Sequence, residues 1–175
     1  MSGIEQMQLK FDPQQDRLLL RVNSLDKQQL RFWLTRRIVK RLLPPLIELL
    51  RKAAAGDRSD DAKAAAALFE FEQQVVREQV DFVSEFADDA STLPLGEDGL
   101  LVETVSLTTH EGGDISVKLA NKAHTSATLR LNEKLLHSLF AILRQALAAA
   151  DWDIPTAPAT DITATREPQK PSLMH

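Results

Sequence analysis

Cysteine is absent from this chain, which removes disulfide staples, thiolate metal sites and cysteine nucleophiles together. A cytoplasmic setting suits such a chain. The opening stretch, MSGIEQMQLKFDPQQD, lacks a basic segment followed by an apolar one, so no secretory signal is expected. Long apolar runs are missing as well. The most apolar stretch, residues 42–50, is broken by Pro44, Pro45 and Glu48, and a membrane-spanning helix needs about 20 apolar residues. Glycine is scarce, and Gly96, Gly99 and the Gly112-Gly113 pair match neither nucleotide-binding loop pattern. No cofactor is expected. Histidine is equally sparse. His110, His124, His137 and His175 show no ligand spacing, so no metal site is expected. Ser138 follows His137 directly, and on a helix neighbouring side chains point apart, which argues against a serine–histidine pair. Glu103 and the Asp88-Asp89 pair are acids whose partners the sequence does not reveal.

What is present is a strong local asymmetry of charge. The net charge is only -4. From residue 26 to residue 52, however, Lys27, Arg31, Arg36, Arg37, Lys40, Arg41, Arg51 and Lys52 face only Asp26 and Glu48. Residues 57–98 reverse the sign, with twelve acids against Arg58, Lys63 and Arg77. Adjacent segments of opposite sign suit each other as partners.

A length of 175 residues fits one domain, placed here at residues 1–154 and followed by a disordered tail, 155–175, rich in proline, threonine and alanine. Residues 7–11 and 17–22 flank Asp12-Pro13-Gln14-Gln15-Asp16, which predicts a β-hairpin. Asp26 and Gln29 have the spacing of a capping box. A first helix is predicted from there to about Ala55, ending at Gly56, with a kink or break at Pro44 and Pro45. A second helix, from Ser59 or Asp60 to about Asp88, follows a short connection, and the pair reads as an antiparallel αα-hairpin with Val76 and Val80 against Leu42 or Leu46. After a linker at residues 91–99, three alternating runs predict a β-meander: 101–109, 115–119 and 127–131, with a turn at Gly112-Gly113. Asn132 caps a third helix whose apolar stripe includes Leu136, Leu139, Phe140 and Leu143, and this helix is expected to lie on the sheet. The expected architecture is α+β: one antiparallel sheet of about five strands, a covering C-terminal helix, and a long inserted αα-hairpin.

Two surfaces stand out. On the first helix, Arg36, Arg37, Lys40 and Arg41 fall opposite the apolar side, and Trp33 is expected among them. Arginine grips phosphate in bidentate fashion and an indole stacks on bases. This face therefore suits nucleic acid or another anion, unless it simply meets solvent or the acids of the second helix. On the second helix, Phe71, Val75, Phe82 and Phe86 form an apolar stripe beyond the one that the first helix covers. The sheet would cover it, or a protein partner or second copy would.

The run Arg31-Phe32-Trp33-Leu34-Thr35-Arg36-Arg37, with Leu136-His137-Ser138-Leu139 and Ala150-Asp151-Trp152, resembles uncharacterised bacterial proteins of similar length. The resemblance spans most of residues 6 to 153 and implies no activity. The first functional expectation is a non-enzymatic protein that acts by binding another protein, as adaptor, assembly factor or regulator. The alternative is nucleic-acid binding through the first helix, and the third is an enzyme of unknown class.

Overall fold

The computed structural model describes residues 3–55, 86–88, 90 and 92–156. Strand β1 (Ile4–Asp12) pairs antiparallel with β2 (Arg17–Ser24). The turn between them closes as the sequence predicts. The Asp12 carboxylate accepts the backbone N–H groups of Gln14 at 2.8 Å and Gln15 at 3.1 Å, a side chain mimicking a backbone turn.

The next element corrects the sequence reading. Residues 29–35 are not helical but form a third strand, β3 (Gln29–Thr35), antiparallel to β2. Asp26 does not cap a helix. It lies in the β2–β3 turn, where the Ser24 hydroxyl donates to its carboxylate and Lys27 takes a left-handed φ of 59°. The physical reason is a period of two: Leu30, Phe32 and Leu34 are buried while Arg31, Trp33 and Thr35 point to the other face. The helix begins only at α1 (Arg36–Ala55). Thr35 caps it by accepting the Ile38 N–H at 3.4 Å.

Of the two alternatives expected at the prolines, two helices in sequence do not occur, and α1 continues through Pro44 and Pro45. Proline lacks an N–H, so the carbonyls of Lys40 and Arg41 lose their helical donors. Pro44, Pro45, Lys40 and Arg41 are all exposed, so water can satisfy those carbonyls. The buried side of α1 carries Ile38, Val39, Leu42, Leu43, Leu46, Ile47 and Leu50.

The expected second helix, with its partners Val76 and Val80, lies outside the described residues except at its end. Residues 86–88 are described there and are not helical, so the expected αα-hairpin does not extend to Asp88. The chain then adds β4 (Leu100–Leu101), parallel to β3, with Phe32 opposite Leu100 and Trp33 opposite Leu101. The meander follows: β5 (Thr104–Thr109), β6 (Ile115–Ala120) and β7 (Ser126–Leu131), all antiparallel. Asn132 caps α2 (Glu133–Ala150), its side chain accepting the Leu135 N–H at 2.9 Å.

The fold is therefore α+β. It does not have one antiparallel sheet of about five strands. Among the described residues there is a mixed four-stranded sheet, β1-β2-β3-β4, and a separate three-stranded one, β5-β6-β7. The chain changes sheet within two residues. The Val102 N–H still bonds to the Trp33 carbonyl at 3.0 Å, and the Glu103 N–H already bonds to Ala120 at 2.9 Å.

Each sheet contributes three consecutive antiparallel strands that lead into a helix, and the helices cross over. Helix α2 packs chiefly along β1 of the first sheet rather than on the meander, while α1 meets β5 of the second as well as its own β3. One continuous apolar core results. It includes Leu18, Phe32 and Leu46 from the first unit with Leu129, Phe140 and Trp152 from the second. Trp152 seals one end. Its indole N–H donates to the Asp16 carboxylate at 2.8 Å, and its ring meets Phe11 edge-on at 6.0 Å.

Candidate functional site

With the core face of the first sheet filled, its other face is set by strand register. Gln6, Asn23 and Gln29 form one cross-strand row, and Gln8, Arg21 and Arg31 form the next. Lys10, Leu19, Trp33 and Leu101 form the third. Among the described residues no helix covers the first row, and Gln29 is 1% exposed and Asn23 5%. Buried polar side chains need partners, and a short strap supplies them.

Residues 86–88 cross this face. The Ala87 N–H donates to Gln6 Oε1 at 3.0 Å, and the Ala87 carbonyl accepts from Asn23 Nδ2 at 2.7 Å. Gln29 Nε2 donates both to Asn23 Oδ1 at 3.1 Å and to Asp88 Oδ1 at 3.2 Å. The Asp88 carboxylate lies 3.5 Å from Arg21 and 3.8 Å from Arg31. The Phe86 ring sits under the Arg21 guanidinium, 4.3 Å from its centroid, a cation–π contact. Arg21 also donates to Gln8, and Arg31 to Gln29 Oε1 at 2.6 Å.

Past the strap lies a cleft of about 450 Å³ whose lining includes Leu19, Arg31, Trp33, Gly99 and Leu101. Its wall is held by two backbone carbonyls. Arg31 donates to that of Glu97 at 3.1 Å, and the Trp33 indole N–H to that of Asp98 at 2.8 Å.

The second surface is the start of α1. Arg36, Arg37, Lys40 and Arg41 are all exposed in its first two turns, and the first turn contains no acid. Glu48, the helix's one acid, is taken up further along. Arg51 grips it at 2.9 and 3.0 Å and Lys52 lies at 3.7 Å. The Arg51 hydrogen bonds hold the Glu48 carboxyl below its ordinary range. Among the described residues, none of the four leading cations forms an ion pair. Glu103 feels Arg37 through space. Its carboxyl is lowered first by the Lys122 backbone N–H, which it accepts at 2.7 Å. Desolvation opposes this, while the Lys122 ammonium at 3.4 Å and the charge of Arg37 add to it.

The residues singled out from sequence are thus dispersed. Arg36, Arg37, Lys40 and Arg41 share one helical face, but Trp33 lies on β3 and not on that helix. Phe86 is stacked on Arg21. Phe71, Val75 and Phe82 lie outside the described residues. The Gln6–Asn23–Gln29 and Arg21–Arg31–Asp88 groups escaped the sequence reading, because cross-strand neighbours appear only once β3 is recognised as a strand. The alternation of Leu30, Phe32 and Leu34 with Arg31 and Trp33 is the signal that would have found them. His110 Nε2 lies 2.7 Å from Ser116 Oγ across the β5–β6 hairpin. Among the described residues no group of three or more acids or histidines could hold a metal ion, and no helix is long and apolar enough to cross a membrane.

Comparison with family models, with curated proteins and with solved structures finds no match to this chain.

Proposed function

We propose that this protein binds nucleic acid through Arg36, Arg37, Lys40 and Arg41. The observation that carries the reading is the cluster of four exposed cations at the start of α1, none of which forms an ion pair among the described residues. A helix N-terminus already bears partial positive charge from its free N–H groups, so four added cations are electrostatically unfavourable there. A phosphate backbone relieves both at once, and arginine meets phosphate in bidentate fashion. The acid Asp88, from the segment expected to neutralise this helix, is directed instead to Arg21 and Arg31.

Titration of single-stranded DNA, RNA and anionic vesicles at low salt tests the reading. The expected result is a complex with nucleic acid that weakens steeply as salt rises, because bound counterions are released. Arg37→Glu with Lys40→Glu should flatten that dependence, by about one unit of slope per lost phosphate contact. Absence of any salt-sensitive complex refutes it, and binding to vesicles alone reassigns the surface.

A protein partner, with this chain as adaptor, assembly factor or regulator, is the second reading. The outer face of the first sheet favours it, because the Gln6 and Asn23 side chains there hold the main chain of Ala87. Retention of a protein from native lysate after nuclease treatment would support this reading, and loss of all retention on nuclease treatment would count against it.

A further inference from the structure

We infer that the outer face of the first sheet is a recognition site for an extended peptide carrying an aromatic residue two positions before an aspartate. Residues 86–88 of the chain itself occupy it here. The inference rests on the protein-partner reading, names its ligand class, and is independent of the nucleic-acid reading.

Three features make this face a ligand site rather than plain packing. First, the segment is read as a peptide. Gln6 accepts the N–H of Ala87 and Asn23 donates to its carbonyl. Main-chain capture by side chains fixes an extended backbone whatever residue stands in the middle, while pockets and charges on either side supply specificity. Second, the flanking positions are chosen chemically. Arg21 takes the aromatic ring on its guanidinium face, and Arg21, Arg31 and Gln29 converge on the aspartate. Arg21 and Arg31 are direct cross-strand neighbours, and two like charges so placed demand an anion between them.

Third, the acidic anchor of the present occupant is open to solvent. The Asp88 side chain is 64% exposed, and ion pairs open to solvent contribute little. The receiving side is the buried one, with Asn23 and Gln29 prearranged by their mutual hydrogen bond. Beside it the cleft at Leu19, Trp33 and Leu101 leaves apolar surface for a longer ligand. A partner segment that repeats the aromatic–X–aspartate pattern and also fills this cleft would displace the strap.

The test uses the full chain and a labelled peptide of residues 84–90, SEFADDA. Phe86→Ala with Asp88→Asn in the chain removes the two side-chain anchors of the strap. Because an internal ligand competes at high effective concentration, the peptide should bind this opened chain at least about tenfold more tightly than wild type. Adding Arg21→Ala, or carrying Asp88→Asn in the peptide, should abolish the gain. Arg37→Glu with Lys40→Glu should leave peptide affinity unchanged, which separates this site from the nucleic-acid surface. Equal affinity for wild-type and opened chains overturns the inference, as does no binding to an opened chain that circular dichroism shows to be folded. An opened chain that is unfolded overturns it too, since the strap would then be an inseparable part of the fold. If the peptide fails while wild-type chain still retains a protein after nuclease treatment, the partner reading survives and only this site is lost.

Discussion

Arg21 and Arg31 stand directly opposite each other on neighbouring strands, with the Asp88 carboxylate within 3.5 and 3.8 Å of their guanidinium groups. A like-charged cross-strand pair is destabilising by itself. Here each arginine also spends donors on amides, Arg21 on Gln8 and Arg31 on Gln29, so both side chains are fixed in place and the carboxylate lies against a preformed site.

Removing that carboxylate should expose the repulsion. Asp88→Asn is expected to lower stability by about 1 kcal/mol or less, the range for solvent-exposed ion pairs. The loss should be largest at low ionic strength, because salt screens the remaining pair. Urea unfolding at two salt concentrations checks this, and a loss that grows with salt would refute it.

Gly99 should be far less replaceable than Gly96. Both have left-handed φ, 73° and 78°, a region that costs other residues about 1–2 kcal/mol. A Cβ at Gly96 meets nothing within 4 Å, but at Gly99 it would lie 2.7 Å from Arg31 Cβ and 2.8 Å from the Arg31 carbonyl oxygen. Gly99→Ala is therefore expected to cost more than Gly96→Ala and to disturb the Trp33 cleft. Thermal melts of the two variants, with Trp33 fluorescence, provide the comparison, and equal melting temperatures would count against it.

Trp152 should prove a principal anchor of the fold although it lies beyond the end of α2. It is 6% exposed, touches Phe11 and bonds to Asp16. Trp152→Ala is expected to cost about 3–5 kcal/mol, as large core truncations do. Trp152→Phe should recover most of the packing and lose mainly the hydrogen bond to the Asp16 carboxylate, about 1.5–3 kcal/mol for a charged acceptor. Denaturant midpoints of both variants decide the matter.

Glu103 should contribute to acid sensitivity. Its carboxyl is held below the ordinary value in the folded chain, so folding favours the ionised form. That stabilisation is complete above the unfolded value of about 4.3 and is lost as pH falls through the lower folded value. Glu103→Gln should reduce stability at neutral pH and flatten the decline in acid. Glu48, lowered by Arg51, contributes with the same sign, so part of the decline should persist. An unchanged acid profile in Glu103→Gln would remove this residue from the account.

Local patterns alone determined several elements. Alternation and turn residues place the β1–β2 hairpin and the three strands of the meander, since a period of two and a Gly-Gly turn act over a few residues. Asn132 and the apolar stripe after it place α2, because a cap and a helical period are equally local. The exposure of Arg36, Arg37, Lys40 and Arg41 also follows from the helical period. The tertiary structure decided the rest. Residues 30–35 carry both an alternating pattern and the lead-in to a helical one, and pairing with β2 resolves the conflict in favour of a strand. Whether the strands form one sheet or two depends on the switch between Val102 and Glu103, where successive amides find different partners. The meeting of Arg21, Arg31 and Asp88 depends on register and on a strap 57 residues beyond Arg31 in the chain, a relationship that no local period encodes because it arises only when distant segments share one face.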